Sequence, residues 1–298
     1  MTASSLPLEV DTSSGKSIAL LTLEQGESPV VVVDEQLLGR LEATLKRLPD
    51  DAQGLVIRSA SERAFVAGAD LRSIADLDDG ALARYLAYGQ EVFRTIADLP
   101  YPTAAAINGA ALGGGLELAM HCDGLIAAPS ASGKPYPVGL PEASLGICPG
   151  WGGSNLLPAR IDPAEGIRRA CTGEPMKFDE AAEAGLFDDV AIEASELLGA
   201  AVSWVAMRDG IGRDPQDAEP LRWIGRPDGR GGVQQALDSV RPDLPETAAA
   251  AAVADCLDEG LANGWRAALG REIEHLVKLR STETARAAIE AFFNKSNS

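Results

Sequence analysis

The residues best suited to chemistry lie in the stretch GAALGGGLELAMHCD, residues 109–123. Three consecutive glycines, Gly113 to Gly115, directly precede a predicted helix, and Glu117 interrupts its apolar run. Glycine in a helix lowers stability by about 1 kcal/mol relative to alanine. Three glycines at the start of a helix therefore need a reason other than helix stability. The first amides of a helix have no intrahelical acceptor and lie at the positive end of its dipole, and glycines let a ligand approach them closely. A strand followed by such a turn and helix indicates an anion site.

Two familiar phosphate motifs do not fit this stretch. Its glycines lack the G-x-G-x-x-G spacing of dinucleotide-binding folds, and no acidic residue ends a strand about 20 residues further on. No Gly-Lys-Ser/Thr follows, which argues against a P-loop. Two interpretations remain: close helix packing with Glu117 in a buried ion pair, or an oxyanion hole with a catalytic carboxylate. In the second, Gly114 and Glu117 are i and i+3 on one helical face, so an amide donor and a carboxylate address the same small volume.

Composition narrows the class of protein. The net charge of −18 argues against nucleic acid or an anionic membrane as the main partner. No apolar run approaches the roughly 18 residues that span a membrane, and the N-terminus lacks the features of a signal peptide. The four cysteines show no CxxC spacing, so we expect neither a zinc site nor a disulfide framework. We expect a cytoplasmic location. With two histidines in the chain, we assign acid–base work to carboxylates and expect no metal and no redox cofactor.

The first half of the chain alternates predicted strands and helices. Strands are predicted at residues 17–24, 29–33, 54–59, 103–107 and 124–128, and helices at 34–48, at 80–99 and in the glycine-rich stretch. This alternation indicates a largely parallel α/β core. Past residue 163 the pattern becomes helical, with a Gly-, Pro- and charge-rich loop or linker predicted at 210–232. Three helices are predicted after it, at 245–262, 264–281 and 284–293.

Four segments in the same order resemble the crotonase (enoyl-CoA hydratase/isomerase) superfamily. They are ERAFVAGADL (62–71), GAALGGGLELAMHCD (109–123), GLPEASLGICPGWGG (139–153) and ACTGEPMKFDEAAEAGLFDDV (170–190). With the upstream strands and helices, the resemblance covers about residues 15–205. It implies an α/β, crotonase-like (ClpP/crotonase) fold of stacked ββα units, in which residues 1–205 form a core with an acyl-CoA site. Residues 206–298 would form a C-terminal helical region.

The resemblance implies that the backbone amides of Ala69 and Gly114 form an oxyanion hole, which binds the thioester carbonyl and stabilises enolate charge. Without it, Ala69 would be assigned to an ordinary loop turn. Glu142, in GLPE, matches the second acidic position of the hydratases, so both carboxylates are present. We assign Glu117 to orienting and activating water at C3 and Glu142 to proton transfer at C2, with the reverse assignment left open. The alternative for Glu142 is a solvated residue after a proline.

Further positions are assigned to substrate binding. The resemblance places the adenine and pantetheine of coenzyme A against the backbone from Ala67 to Leu71, with arginine side chains as candidates for the phosphates. The residues assigned to binding are Ala67, Asp70, Leu71, Gly113, Arg63, Arg72 and Trp151. Trp151 either lines the acyl pocket or packs beneath the helix that starts near Gly152. His121 and Asp123 are interpreted as structural.

The chain departs from typical hydratases at two places. GKPYPV lengthens the interval between Glu117 and Glu142, where we expect it to reshape the acyl pocket, and SPVVVVDEQLL replaces the usual Asn-Ala-Leu stretch after the second strand. The C-terminal segment is most similar to the hydratase part of the fatty-acid-oxidation multifunctional α-subunit. The superfamily resemblance implies a homo-oligomer such as a trimer. The similarity to the α-subunit implies, as the alternative, a partner dehydrogenase or thiolase subunit. We expect the C-terminal helices to pack within the chain.

The predicted function is an enoyl-CoA hydratase of the fatty-acid β-oxidation type, with coenzyme A as part of the substrate. One alternative is a double-bond isomerase, which uses one carboxylate to shuttle a proton between carbons. A hydrolase or decarboxylase of the same fold is another. A non-catalytic acyl-CoA-binding or assembly subunit is the alternative from a different class.

Overall fold

The computed structural model describes residues 4–208, except 27 and 29, and residues 217–296. The chain forms two compact units, each assembled from three segments. Unit 1 contains Met1–Gly68, Glu91–Val138 and Met176–Leu221, and unit 2 contains Ala69–Gln90, Gly139–Pro175 and Arg222–Ser298. The boundary expected near residue 205, between a core and a C-terminal region, stays a prediction.

Strands and helices alternate in the first half of the chain, and helices dominate the second. The strands are β1 (Leu8–Asp11), β2 (Ile18–Leu23), β3 (Gly54–Ser59), β4 (Ala64–Val66), β5 (Thr103–Ile107), β6 (Ala110–Leu112), β7 (Gly124–Ala127), β8 (Pro137–Gly139), β9 (Met176–Lys177) and β10 (Asp189–Val190). The helices are α1 (Glu35–Leu45), α2 (Leu71–Asp76), α3 (Asp79–Ala97), α4 (Gly114–Met120), α5 (Gly153–Leu156), α6 (Pro163–Thr172), α7 (Phe178–Glu183), α8 (Leu197–Ala206), α9 (Pro227–Val240), α10 (Ala248–Asn263), α11 (Trp265–Leu279) and α12 (Glu283–Ser296). Short 3₁₀ helices occur at Glu142–Leu145, Leu157–Ala159, Ala194–Glu196 and Arg241–Asp243.

Unit 1 is built on two sheets. The larger has the strand order β1-β2-β3-β5-β7-β10, in which β1 is antiparallel to β2 and the other neighbours are parallel. The smaller has the order β4-β6-β8-β9, with β4 parallel to β6. Strands β5 and β7 are buried along their whole length, as expected for parallel strands that are covered on both faces. The predicted parallel α/β core is confirmed.

Helix α8 covers the larger sheet at close range. A Cβ atom at Gly124 would overlap the indole of Trp204, and one at Gly54 would overlap the side chain of Val205. The same helix contributes Leu197, Ala201 and Val202 to a buried cluster with sheet residues Val56, Ala104 and Ile126. Small residues in the strands therefore allow α8 to lie directly on the sheet.

Unit 2 is helical. Helices α10 and α11 pack against each other and are joined at Gly264, whose φ of 93° favours glycine. Helix α6 packs on α9 and α10, and α12 packs on α2 and on the 3₁₀ helix Glu142–Leu145. A Cβ atom at Gly146, which ends that 3₁₀ helix, would lie 3.0 Å from the Cα of Ala285 in α12. The C-terminal helices thus pack on residues of their own chain, as expected.

Three predicted elements differ from the structure. The strand predicted at 29–33 is wrong, because within its described part only Val33 forms an isolated bridge. Val31 and Val33 are buried and bond to the loop before α2: the Ala67 amide donates to the Val31 carbonyl at 2.7 Å, and the Val33 amide to the Gly68 carbonyl at 2.8 Å. Strand β4 lies within ERAFVAGADL (62–71), a segment whose sequence pattern predicts a loop. Helix α9 begins inside the loop predicted at 210–232, since Pro227 favours the first turn of a helix, while residues 210–216 lie outside the described residues.

Two features of the described residues concern membranes and metal ions. No helix among them is both long and apolar enough to cross a bilayer. They also contain no group of three or more His, Cys, Asp or Glu side chains arranged to hold a metal ion. The thiols of all four cysteines are buried.

Candidate active site

The turn that begins α4 packs closely against β4. Gly113 has φ 49° and ψ −127°, a backbone conformation that favours glycine. A Cβ atom at Gly115 would overlap the carbonyl oxygen of Val66, and a backbone atom cannot move aside as a flexible side chain can. The backbone conformation therefore accounts for the glycine at 113, and close packing accounts for the one at 115. Gly114 is the first helical residue, where the amide has no acceptor within the helix.

We expect Gly115→Ala to lower the free energy of unfolding by about 1–3 kcal/mol, because the added methyl group forces α4 away from β4. The matched control is Gly199→Ala on α8, where a Cβ atom meets nothing within 4 Å. There the helix propensity of alanine is expected to raise stability by up to about 1 kcal/mol. Denaturant unfolding of both variants measures the two effects. A Gly115→Ala variant as stable as the wild type would contradict the close approach.

Glu117 is a buried carboxylate in the first turn of α4, with 1% of its surface exposed. Its amide donates to the carbonyl of Gly113 at 2.9 Å, and its carbonyl accepts from the amide of His121 at 3.2 Å. These backbone hydrogen bonds fix the point at which the side chain leaves the helix. A carboxylate therefore lies one turn from the first amides of α4, as the i and i+3 spacing predicts.

His121 and Asp123 have structural contacts, as predicted. His121 Nδ1 lies 2.8 Å from the carbonyl oxygen of Glu117, and its ring centroid lies 5.3 Å from that of Phe93. Asp123 Oδ2 accepts from the amide and from the hydroxyl of Thr103, each at 2.8 Å. Asp123 therefore secures the start of β5.

The other predicted oxyanion donor, Ala69, directly precedes the cap of α2. Asp70 is the N-cap residue: its carboxylate accepts from the Arg72 amide at 3.1 Å and from the Ser73 hydroxyl at 2.7 Å. The Asp70 side chain therefore has a capping role, and Leu71 is the first helical residue. Ala69 belongs to unit 2 and Gly114 to unit 1, and the pairing of their amides around one oxygen stays a prediction.

Glu142 opens the 3₁₀ helix of unit 2, directly after Pro141. The residue is half-buried, and its Oε2 atom is buried with no hydrogen-bond partner among the described residues. Burial raises the pKa of this carboxyl, a hydrogen bond to its own backbone opposes the effect, and the Glu272 carboxylate raises the pKa further. The interpretation of Glu142 as a freely solvated residue is therefore disfavoured. Its carboxyl keeps a proton to higher pH than an ordinary glutamate does.

Glu272 was not among the residues that the sequence pointed to. It lies on α11 and is fully buried, and its two carboxylate oxygens accept from the amides of Gly152 at 2.6 Å and Ser154 at 3.0 Å. Burial raises its pKa, and these hydrogen bonds lower it by a smaller amount. One signal in the sequence marks it, because Ala268, Glu272 and Leu276 follow at intervals of four along the buried face of α11. A charged residue in such a stripe indicates a buried polar contact.

Trp151 packs against α3 within unit 2. The side chain is 1% exposed, its Nε1 donates to the carbonyl of Leu86 at 3.0 Å, and its ring meets that of Tyr85 edge-on with centroids 5.6 Å apart. A Cβ atom at Gly89 would overlap the indole. Trp151 therefore packs on α3, which neither alternative named, and its role in the acyl pocket stays a prediction.

The two arginines assigned to phosphate lie at cavities of different character. Arg72 is exposed at a cavity of about 370 Å³ in unit 2, with Arg286 and Phe293 among its lining residues, and its guanidinium carbon lies 5.2 Å from the Phe293 ring centroid. Arg63 is exposed at a cavity of about 290 Å³ in unit 1 that Glu24 and Glu62 also line. Two carboxylates line each cavity, Asp76 and Glu290 in the case of Arg72, but Arg280 and Arg286 make the lining around Arg72 positive on balance. The surroundings therefore favour Arg72 over Arg63 as a phosphate contact.

The insertion GKPYPV is anchored to the larger sheet by Tyr136. The buried Tyr136 hydroxyl lies within hydrogen-bonding distance of two carbonyl oxygens, at 2.8 Å from that of Ala128 and 3.3 Å from that of Ile107. Its ring centroid lies 5.1 Å from that of Phe178 at the start of α7. The insertion is therefore fixed to the ends of β5 and β7 and continues into β8. Its effect on the acyl pocket stays a prediction.

The chain matches a known protein family. The family model described as enoyl-CoA hydratase/isomerase matches residues 13–208, which is more than half of the chain. The chain belongs to the enoyl-CoA hydratase/isomerase family, within the crotonase superfamily. The superfamily inferred from the four sequence segments is thus confirmed.

Individual relatives agree with this assignment. The fatty acid oxidation complex subunit alpha of Aliivibrio fischeri is 31% identical over 301 aligned positions, which cover 95% of this chain and 41% of the relative. The chain therefore spans about two fifths of the length of this relative. Among solved structures, Pseudomonas aeruginosa DspI is 29% identical with a TM-score of 0.59, covering 79% of this chain and 91% of that one. The human mitochondrial delta3-delta2-enoyl-CoA isomerase is 21% identical with a TM-score of 0.68, covering 97% and 98%, and it confirms the crotonase-like fold.

Proposed function

We propose that the chain is an enoyl-CoA hydratase that adds water to trans-2-enoyl-CoA thioesters. The observation that carries the proposal is the Glu142 carboxyl, which has a buried oxygen without a hydrogen-bond partner among the described residues and a raised pKa. A carboxyl that retains its proton is suited to deliver it to C2 of the acyl chain. Glu117, buried in the first turn of α4, supplies the second carboxylate that hydration needs.

The proposed reaction is a net addition of water. The thioester oxygen accepts hydrogen bonds from the amides of Ala69 and Gly114, which stabilise the enolate charge as it develops. Glu117 takes a proton from water as the water oxygen bonds to C3, and Glu142 gives its proton to C2. Each carboxyl returns to its starting state by proton exchange, so atoms and charges balance over the cycle. Coenzyme A remains in the product, and the proposal requires no separate cofactor.

We extend the proposal to a role in fatty-acid β-oxidation. Its support is the similarity to fatty acid oxidation complex α-subunits, which are 31–32% identical to this chain. The chain would act as a homo-oligomer or beside a dehydrogenase or thiolase subunit. Arg72 is the residue we assign to the phosphates of coenzyme A.

The proposal is tested by turnover of crotonyl-CoA and of longer trans-2-enoyl-CoAs, followed by loss of the conjugated thioester absorbance. We expect 3-hydroxyacyl-CoA as the product, identified by mass spectrometry. Conversion of a 3-enoyl-CoA without hydration of any 2-enoyl-CoA would overturn the proposal in favour of an isomerase. Thermal stabilisation by coenzyme A without turnover of any acyl-CoA would overturn it in favour of a binding subunit.

A further inference from the structure

One buried carboxylate links α11 to the segment of chain that follows Glu142. The Oε2 atom of Glu272 accepts from the Gly152 amide at 2.6 Å, and its Oε1 atom accepts from the Ser154 amide at 3.0 Å. Gly152 has φ 100°, and a Cβ atom there would overlap the ring of Trp265 on α11. The turn thus lies too close to α11 to carry a capping side chain of its own, and Glu272 caps it from another helix.

A buried carboxylate is a costly way to cap a helix of four residues. Removing a charge from water destabilises the folded state unless strong hydrogen bonds compensate, and a short helix is normally capped by a neighbouring Ser, Thr or Asp. Glu272 is 0% exposed, and burial raises its pKa in spite of the two amides. A function beyond capping would account for a glutamate at this position.

Backbone contacts also link the chain that follows Glu142 to α11. The amide of Ile147 donates to the carbonyl of Glu142 at 3.1 Å, which closes the 3₁₀ helix. The thiol of Cys148 donates to the carbonyl of Glu272 at 3.7 Å. With Gly146 set against Ala285 of α12, the segment from 142 to 154 is held along its length by α11 and α12.

Glu272 is also the charged neighbour that acts on the Glu142 carboxyl. The 3₁₀ helix of Glu142 packs against α6, α10 and α12. Most charged residues on these helices form ion pairs with residues other than Glu142. The pairs are Glu165 with Arg169, Asp255 with His275 and Arg271, Asp258 with Arg241, and Glu259 with Arg271. Arg286 and Glu290 line the cavity of Arg72. The ionisable thiols beside Glu272 are those of Cys148 and Cys256, and burial raises the pKa of Cys256.

We propose that Glu272 is a positioning residue for Glu142. It holds the chain that follows Glu142 through the amides of Gly152 and Ser154, and its charge disfavours ionisation of the Glu142 carboxyl. This inference rests on the proposed function, in which Glu142 delivers a proton to C2. It assigns part of the proton-transfer machinery to the C-terminal helices.

The test compares Glu272→Gln with the matched control Glu274→Gln, which removes a carboxylate paired with Arg271 at the surface of the same helix. For Glu272→Gln we expect kcat to fall by about 10- to 100-fold with KM little changed, since small misplacements of a reacting group have effects of this size. We also expect the alkaline limb of the kcat/KM profile to move to lower pH. Glu274→Gln should change neither quantity. Wild-type kcat and an unmoved pH profile in Glu272→Gln would overturn the proposal.

A second variant separates position from charge. Glu272→Asp keeps the charge but is one methylene shorter, so it cannot reach both amides without movement of the chain. We expect a lowered kcat with the alkaline limb unmoved, and a wild-type kcat in this variant would overturn the positioning role. Circular dichroism and thermal unfolding confirm that each variant is folded, and Glu272→Asp decides alone if Glu272→Gln does not fold.

A direct titration distinguishes failure of this proposal from failure of the proposed function. Carboxyl ¹³C resonances of the full chain are followed with pH, and the Glu142 signal is assigned by its loss in Glu142→Gln. If no enoyl-CoA is turned over, the proposed function fails, yet the Glu142 pKa should still fall in Glu272→Gln. An unchanged Glu142 titration would overturn the influence of Glu272 whether or not the enzyme is active.

Discussion

Replacing Glu117 by glutamine is expected to lower kcat for the hydration of crotonyl-CoA by about 10²–10⁴-fold, the range typical of a lost general base. Glutamine has nearly the same shape but cannot accept a proton from water. Because the side chain is 1% exposed and lies on a well-bonded turn of α4, the variant should fold and bind substrate with a KM near that of the wild type. Steady-state kinetics on the purified full chain measure both constants.

The control for this variant is Glu183→Gln, which changes an exposed glutamate of α7 in the same unit. It should leave both kcat and KM unchanged. A Glu117→Gln variant that retains near wild-type activity would remove Glu117 from the mechanism and leave close packing as the reason for its position.

Replacing Glu142 by glutamine is expected to lower kcat by a similar factor, about 10²–10⁴-fold, because the group that protonates C2 is lost. In the wild type, kcat/KM should fall on the alkaline side as Glu142 loses its proton, and the raised pKa of that carboxyl places this limb above the ordinary range for a glutamate. The matched control is Glu283→Gln, an exposed change at the start of α12. A Glu142→Gln variant with nearly full activity would contradict the assignment.

Glu142→Gln should lower activity but raise stability relative to the wild type as pH increases. The folded-state pKa of Glu142 is raised above the ordinary glutamate value of 4.5, so between that value and the folded-state pKa the folded state binds more protons than the unfolded state. The free energy of unfolding contributed by this group is therefore fully present below the lower value and is lost as pH rises through the folded-state pKa. Glutamine does not ionise, so Tm of Glu142→Gln relative to the wild type should increase between about pH 5 and about pH 9. A constant Tm difference over this interval would contradict a raised pKa.

Local patterns account for the elements that the sequence predicted. Strands β2, β3, β5 and β7 and helices α1 and α3 follow their predicted positions, because the apolar residues that define them are neighbours in sequence and their period depends only on local geometry. The apolar run at 29–33 illustrates where this signal fails. Val31 and Val33 are buried as expected, but their backbone bonds to the loop at 67–68, which no local pattern encodes.

In the candidate site, too, local sequence predicts some features, and others depend on contacts between distant residues. The GGG-x-E spacing places Glu117 one turn from the amide of Gly114. Family resemblance predicts, from sequence order alone, roles for Glu142, Ala69 and the binding segment, and these roles stay predictions. The role of Gly115 could not be predicted from the sequence, because an added Cβ atom there would overlap the carbonyl oxygen of a β4 residue that is distant in sequence. Likewise, the packing of Trp151 on α3 involves Leu86, which lies 65 positions away in sequence.

The sequence by itself determined the family of this protein, its α/β fold class and the two glutamates proposed for catalysis, because motif order and helical spacing are properties of the chain. Only the tertiary structure decided the environment of those groups. Burial and charge act through space: Glu272 reaches the Gly152 amide across 120 positions of the sequence and raises the pKa of Glu142 from a different helix. The proton that Glu142 is proposed to deliver therefore depends on contacts that exist only after the C-terminal helices have folded onto their own chain.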